Sequence, residues 1–212
     1  MNNNMKTILI YGAGGLGVEI LDLCHRTSQF SERNILFVDD VKHGENILGV
    51  PIASFDYATL HFPNSDMILA SGEPAGRRQM YARAKGAGFN LPSVIDGTAT
   101  VSRYCEIGEA SIICAGCTIA ARSKVGANVL INVDSIIGHD VTVEDSAVLA
   151  SKVNTGGSCS IASGAMIGMG AVIRPRINIG ENSLVTIGAS VFADVPADVT
   201  VVGNPARISR RR

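Results

Sequence analysis

A histidine followed by an aspartate, His139 and Asp140 in "IGHDVT", is the side-chain pair in this sequence best suited to chemistry. Imidazole ordinarily titrates near neutral pH, so His139 can take a proton from an attacking nucleophile, and a carboxylate beside it fixes the tautomer and stabilises the imidazolium. The other histidines, His25, His43 and His61, all fall in the first third of the chain. A second signature is "GAGGLG", residues 12–17, between the apolar run "TILIY" and "VEILDLCHR". A glycine turn that opens a helix exposes backbone N–H groups where phosphate is favoured. "CAGC", Cys114 to Cys117, has CxxC spacing but neither the second pair that zinc needs nor a βαβ setting for redox work, so no metal site is expected.

These residues need a scaffold, and the composition allows one. The 212 residues are 46% hydrophobic and 17% charged, enough to bury one large or two modest cores. With 18 basic and 19 acidic residues the net charge is -1, so no global field recruits nucleic acid. The single basic run, the terminal "RISRRR", reads as a solvated tail. Apolar stretches fall far short of the ~20 residues of a membrane span, and the polar start "MNNNMK" does not lead into a signal-type segment. Five cysteines, an odd number, fit a reducing, cytoplasmic compartment better than a disulfide framework.

Two grammars divide the chain, giving expected domains at 1–92 and 93–212. In the first, "TILIY" reads as a strand, the glycine turn follows, and a helix runs from about Leu16 to Arg26. "ILFVDD", ending in Asp39 and Asp40, and "MILAS" are further strands, and "EPAGRRQMYARAKGAG" is a helix closing on Gly86 or Gly88. The expectation is a Rossmann-like α/β unit of three or four strands, a mononucleotide half too short for the second half that a nicotinamide requires.

From Ile95 an aliphatic residue recurs every six positions through Val191, with Thr155 the one departure among seventeen hexads. The fifth position of each hexad is small or β-branched, and Cys105, Cys117 and Cys159 occupy it as compact fillers. A period of six fits no helix or coiled coil; it is the period of a hexapeptide parallel β-helix, in which three hexads close a triangular coil and coils stack about 4.8 Å apart. His139 sits at a turn of such a coil rather than in its core. Flat, strand-lined faces make side-by-side association natural, so an oligomer is expected.

At this point the sequence resembles the hexapeptide-repeat acyltransferases with a left-handed β-helix, and among them the nucleotide-sugar and sialic-acid acetyltransferases that carry a small N-terminal α/β domain. The likeness rests on "GAGGLG", "FVDD", "LASGEPAGRR", "NVDSIIGHDVTVED", "NTGGSCSIASGAMIGMGAVI" and "VVGNPAR". It implies a homotrimer that binds acetyl-CoA between subunits and a nucleotide-linked amino sugar on the N-terminal domain. By the same resemblance Gly12, Gly14 and Gly15 approach the phosphates or sugar, Asp39 or Asp40 meets the base, and Ser71 and Gly72 line that pocket. His139 is then the general base, Asp140 its partner, and Asn132, about one corner away, positions the amine or senses the histidine. Gly157 offers a backbone N–H to the thioester carbonyl, while Gly168, Gly170 and Arg207 belong to the cofactor rail. The chain departs from the family pattern at Leu16 and Val148, where relatives carry histidines.

The reading is an acetyl-CoA-dependent N-acetyltransferase acting on the 4-amino group of a UDP-linked amino-dideoxy sugar, by direct attack and without metal. Its rivals are a GDP- or dTDP-linked acceptor, O-acetylation of sialic acid, a non-catalytic nucleotide-sugar-binding protein, and a nicotinamide oxidoreductase.

Overall fold

The structure, a computed structural model, describes residues 7–30 and 33–211, so the polar start and Arg212 lie outside the described residues. It divides into two compact units, the first ending at Val94 and the second beginning at Ile95, with Glu73–Ala75 counted in the second.

The N-terminal unit is a five-stranded sheet in the order β3-β4-β2-β1-β5, with β1 Ile8–Tyr11, β2 Ile35–Val38, β3 Asn46–Ile47, β4 Val50–Ala53 and β5 Asp66–Leu69. Strands β4, β2, β1 and β5 run parallel, and β3 closes the edge as an antiparallel hairpin with β4. Three helices pack with it: α1 Gly15–Arg26, α2 Phe55–His61 and α3 Pro74–Gly86. Strand β1 is buried on both faces, as a parallel sheet covered by helices demands. Ile20, Leu21, Leu23 and Cys24 of α1 face inward, and burial pushes the Cys24 thiol up to about 12, which leaves it inert. The sheet exceeds the three or four strands expected, because "NILGVPIAS" hides the hairpin and β4 behind a proline and a turn glycine, Gly49. Helix α2 is only seven residues long and carries too little periodicity to stand out.

The C-terminal unit is the expected parallel β-helix. Two-residue rungs pair in parallel with rungs eighteen residues away, Thr118 with Ile136 and Ile136 with Asn154, so three hexads make one coil. The rungs form three sheets, one starting at Val94–Ile95, one at Thr100–Val101 and one at Glu106–Ile107. The second residue of each rung points inward. From Ile113 to Val191 none of these residues is more than 3% exposed, and Thr155 fits the same column at 2%. At the corners, a left-handed residue recurs every six positions from Ala110 to Gly188, and from Asn128 onward its N–H bonds a corner carbonyl of the preceding coil, as in Asp140 to Ala121 O at 3.1 Å. That column holds arginine, lysine and serine as well as glycine, asparagine and aspartate, which is why the sequence announces it weakly.

Two expectations about the second unit change. The cysteines of the fifth column are more than fillers: Cys105, Cys117 and Cys159 donate from Sγ to the carbonyls of Ala120, Asn132 and Arg174 at 3.0–3.2 Å. Ser111, Ser123 and Ser135 do the same at 2.8–3.1 Å, each to a corner carbonyl fifteen residues ahead. The column takes compact side chains, and where these are Ser or Cys they also reach that oxygen. The basic tail is not free either. Arg207–Arg211 forms an antiparallel strand on Val199–Val202, which itself continues the stack beyond Leu184–Val185, so the last rung's backbone groups find partners.

Ile161 is fully buried in the prism. Ile161→Ala is expected to lower unfolding free energy by about 2–5 kcal/mol through lost transfer energy and a residual cavity. Urea unfolding at one fixed protein concentration measures this; a midpoint equal to wild type would mean that the prism interior is not packed as described.

Candidate active site

Stacking at an eighteen-residue register turns each corner position into a column. One corner carries Ala121, His139, Gly157 and Pro175 in successive coils, and the next column carries Arg122, Asp140, Ser158 and Arg176. His139 therefore stands on a rigid corner, with Gly138 N–H bonded to Thr155 O at 3.2 Å and Asp140 N–H to Ala121 O. Thr155, the exception among the aliphatics, also accepts from Gly138 N–H through its hydroxyl at 3.2 Å, and Ser123 Oγ donates to Gly138 O at 2.8 Å.

The imidazole is 64% exposed, and its Nδ1 lies 2.6 Å from Asp140 Oδ2. Facing a carboxylate, Nδ1 carries the proton and donates it, leaving the lone pair on Nε2. Asp140 is held in turn by Arg122, Nε to Oδ1 and Nη2 to Oδ2, both at 2.7 Å. The Arg122 hydrogen bonds, with that from His139, hold the Asp140 carboxyl down at about 2, so it stays ionised through neutral pH. Arg122 was not legible in the sequence; only the coil register puts residue 122 over residue 140.

The ring rests on Gly157. A Cβ there would lie 2.6 Å from Nε2 and Cε1, so only glycine leaves the imidazole where it is. Among the described residues the Gly157 N–H has no acceptor, as is general at this turn position unless a side chain reaches it, as Asp145 does for Ala127. A basic nitrogen and an unclaimed N–H donor beside it are the two groups that a thioester attacked by an amine requires.

Asn132 lies at the preceding corner of the same coil. Its Oδ1 accepts from Val133 N–H at 2.7 Å, and no hydrogen bond joins it to His139. Gly168 is glycine for packing, since a Cβ would sit 2.6 Å from Ile187 N in the next coil, whereas Gly170 borders open space. Arg207 is exposed and turns its guanidinium to Ala206 O at 2.9 Å. Val148 is buried, so that position presents no side chain to the surface.

The N-terminal unit builds its own site at the carboxyl end of β1. Gly12 has φ +112° and approaches Ala70 O, and a Cβ on Gly17 would meet Gly12 O at 2.2 Å, so those two are glycines for the strand–helix contact. Gly14 and Gly15 are exposed with open space around them, and nothing within the protein requires glycine there. Gly14 caps α1 without a side-chain bond, the first turn has no acidic residue, and the N–H groups of Gly15, Leu16 and Gly17 have no acceptor among the described residues. An anion is favoured at such a terminus.

Asp39 braces this turn, accepting from Ala13 N–H at 3.0 Å and from Val41 and Lys42 N–H at 2.9 and 3.2 Å. Partial burial opposes its charge, but those hydrogen bonds and the Lys42 ammonium hold the carboxyl below its usual range. Lys42, which sequence reasoning passed over, lays its Nζ on Ala13 O at 2.8 Å and brings a cation to the turn. Asp40 is engaged elsewhere: it accepts from Phe55 N–H at 2.8 Å and pairs with Arg83, whose guanidinium stacks on Phe55 and donates to Tyr11 Oη at 2.8 Å. Ser71 is half-buried behind the turn, with Gly76 against its hydroxyl, and Gly72 is exposed. Both aspartates thus have structural work in the protein itself. Among the described residues no group of three or more His, Cys, Asp or Glu could hold a metal ion, and no helix is long and apolar enough to cross a membrane.

Because a methyl group at residue 157 would displace the ring, Gly157→Ala is expected to lower turnover by about 10² through misplacement of the imidazole, with little loss of thermal stability at this corner. Paired rate and melting measurements check it; unchanged turnover would mean that the ring's seat is immaterial.

Comparison with known proteins agrees with this construction. Residues 7–84 match the family model of the PglD N-terminal domain. The whole chain is similar to the acetyltransferase domain of PglB from Neisseria gonorrhoeae FA1090, solved with acetyl coenzyme A, at 29% identity and TM-score 0.90 over 96% of this chain and 98% of that one. It is similar to WeeI from Acinetobacter baumannii AYE at 30% identity and TM-score 0.90, covering 95% and 99%. It is also similar to perosamine N-acetyltransferase from Caulobacter crescentus, solved as a histidine-to-asparagine variant with CoA and GDP-perosamine, at 26% identity and TM-score 0.89, covering 96% and 97%. Curated acetyltransferases match over only 45–46 residues at 42–46% identity, and the chain spans less than a quarter of their length. The chain belongs to the hexapeptide-repeat sugar N-acetyltransferases, with a PglD-type N-terminal domain followed by a left-handed parallel β-helix.

Proposed function

We propose that this protein transfers the acetyl group of acetyl-CoA to the 4-amino group of a UDP-linked amino-dideoxy sugar, with His139 as general base. The observation that carries the reading is the His139 corner: an imidazole with its lone pair on Nε2, set on Gly157, whose N–H is unclaimed. The amine nitrogen attacks the thioester carbonyl carbon while Nε2 takes its proton; the C–S bond then breaks, and the imidazolium returns a proton to the departing CoA thiolate. Gly157 N–H receives the negative charge that develops on the carbonyl oxygen. Asp140 keeps Nδ1 protonated and steadies the imidazolium. No acyl-enzyme forms, and the cysteines take no part; burial pushes the thiols of Cys117 and Cys159 up.

The nucleotide sugar belongs to the N-terminal unit. Its phosphates meet the α1 terminus at Gly14 and Gly15 beside Lys42, with Gly12, Ser71 and Gly72 around the sugar-phosphate and Asp39 or Asp40 toward the base. Acetyl-CoA lies along Gly168 and Gly170, with Arg207 near a phosphate and Asn132 supplied to the acceptor amine. The assembly is a homotrimer, in keeping with an apolar stripe on one edge of the prism: Val133, Met169 and Ile187 share a corner column, and Ile136 and Val172 point outward from the adjoining sheet. The working place is the cytoplasm, where acetyl-CoA and nucleotide sugars are made. GDP is the rival nucleotide, since the Caulobacter neighbours were solved with GDP-perosamine.

His139→Ala is expected to lower kcat by roughly 10²–10⁴ with little change in KM, as for loss of a general base. CoA release from acetyl-CoA with a UDP-linked 4-amino-4,6-dideoxy sugar measures it, and activity within a factor of a few of wild type would assign the base elsewhere. Thermal shift with UDP, GDP, dTDP and CMP is expected to show stabilisation by UDP; a shift with GDP alone would overturn the nucleotide assignment and leave the chemistry standing.

A further inference from the structure

We propose that Arg122 is a positioning residue for the transfer: its two-pronged grip on Asp140 from the preceding coil fixes the carboxylate that in turn orients His139. This rests on the reading of His139 as the base. Arg122 stands eighteen residues before Asp140, at the same corner position one coil earlier, and both residues have left-handed backbones, φ 61° and 59°. The stacked register thus brings the two side chains together without any contact between neighbours in sequence. Nε and Nη2 engage the two carboxylate oxygens separately, at 2.7 Å each, and the oxygen taken by Nη2 also receives the imidazole Nδ1–H at 2.6 Å.

A fork on both oxygens sets the plane of the carboxylate, and a carboxylate of fixed plane sets the direction of the ring that donates to it. Without the fork, Asp140 is a short, partly exposed side chain with a free rotation, and the ring it holds is 64% exposed. The guanidinium acts a second way. It takes up part of the carboxylate's charge, so the imidazolium is less stabilised than it would be beside Asp140 alone. Removing Arg122 must therefore move the titration of His139 upward. The charged groups of this corner are Arg122 in the coil before, Asp140 in the ring's own coil, Arg103 two coils before, and Arg174 and Arg176 two coils after; the coil directly after holds only Gly156, Gly157 and Ser158. Asp140 alone among them hydrogen-bonds the ring.

The test is an NMR titration of the His139 ring in the full chain, with the His139→Ala spectrum identifying its signal, for wild type, Arg122→Met and Arg122→Lys. Steady-state CoA release is measured on the same samples, and melting temperatures confirm that each is folded. Arg122→Met is expected to raise the ring's midpoint by about one pH unit and to shift the acid limb of kcat/KM with it, while kcat falls about tenfold through misorientation and KM stays near wild type. Arg122→Lys keeps the charge and loses the fork, so its midpoint stays near wild type while kcat remains reduced. An unmoved His139 midpoint in Arg122→Met overturns the proposal. A midpoint that moves as expected while His139→Ala keeps its activity leaves the Arg122–Asp140–His139 linkage standing and removes the base assignment.

Discussion

Backbone hydrogen bonds between coils eighteen residues apart are the interaction on which the second unit depends. They align rung on rung, so each of the six hexad positions becomes a vertical column with one environment along its length. The inward column must be apolar, and it is except at Thr155. The fifth column must be compact, and where it holds Ser or Cys the side chain also satisfies a corner carbonyl at about 3 Å. Several corner positions leave their side chains outside, Arg122 and His139 among them, while others are glycine because a Cβ would meet the next coil. Chemistry can therefore be placed at a corner without disturbing the prism, and the His139 corner uses that freedom.

The N-terminal unit obeys a different constraint, the close approach of α1 to β1 across the glycine turn. Gly17 against Gly12 O and Gly12 against Ala70 O leave no room for side chains, which explains half of "GAGGLG" without any ligand. The other half, Gly14 and Gly15, answers to no contact within the protein. Unused N–H groups at the helix start, a nearby ammonium and a braced turn are what remain, and they suit a phosphate.

How far the sequence could be read follows from the range of each constraint. The hexad rule is local and repetitive, so the β-helix and the inward residues were visible, Thr155 included as the one departure. His139 and Asp140 were visible because they adjoin in the chain. Arg122 was not, since nothing near it in sequence explains an arginine there, and the eighteen-residue register that pairs it with Asp140 exists only in the folded stack. Lys42 and Arg83 were missed for a similar reason: each reaches a partner across the sheet's carboxyl edge, at Ala13 and at Tyr11. The last strand was read as a free tail because its basic composition signals solvent, whereas its backbone answers the unpaired edge of the final rung.

The row Arg122–Asp140–His139 contributes little to stability. Exposed ion pairs return little once side-chain entropy and screening are counted, and Arg122 and His139 are both more than 60% exposed. Neither the core nor the coil register requires these three side chains, since neighbouring corners carry Ala, Ser and Pro in the same columns. The prism supplies the rigidity, through a closed apolar interior and hydrogen bonds on every side of each rung. The corner spends that rigidity on holding one imidazole in one orientation. A group that costs ordering entropy and returns almost nothing to folding is best accounted for by what it does to a second molecule; for His139 the act proposed above is the taking of a proton.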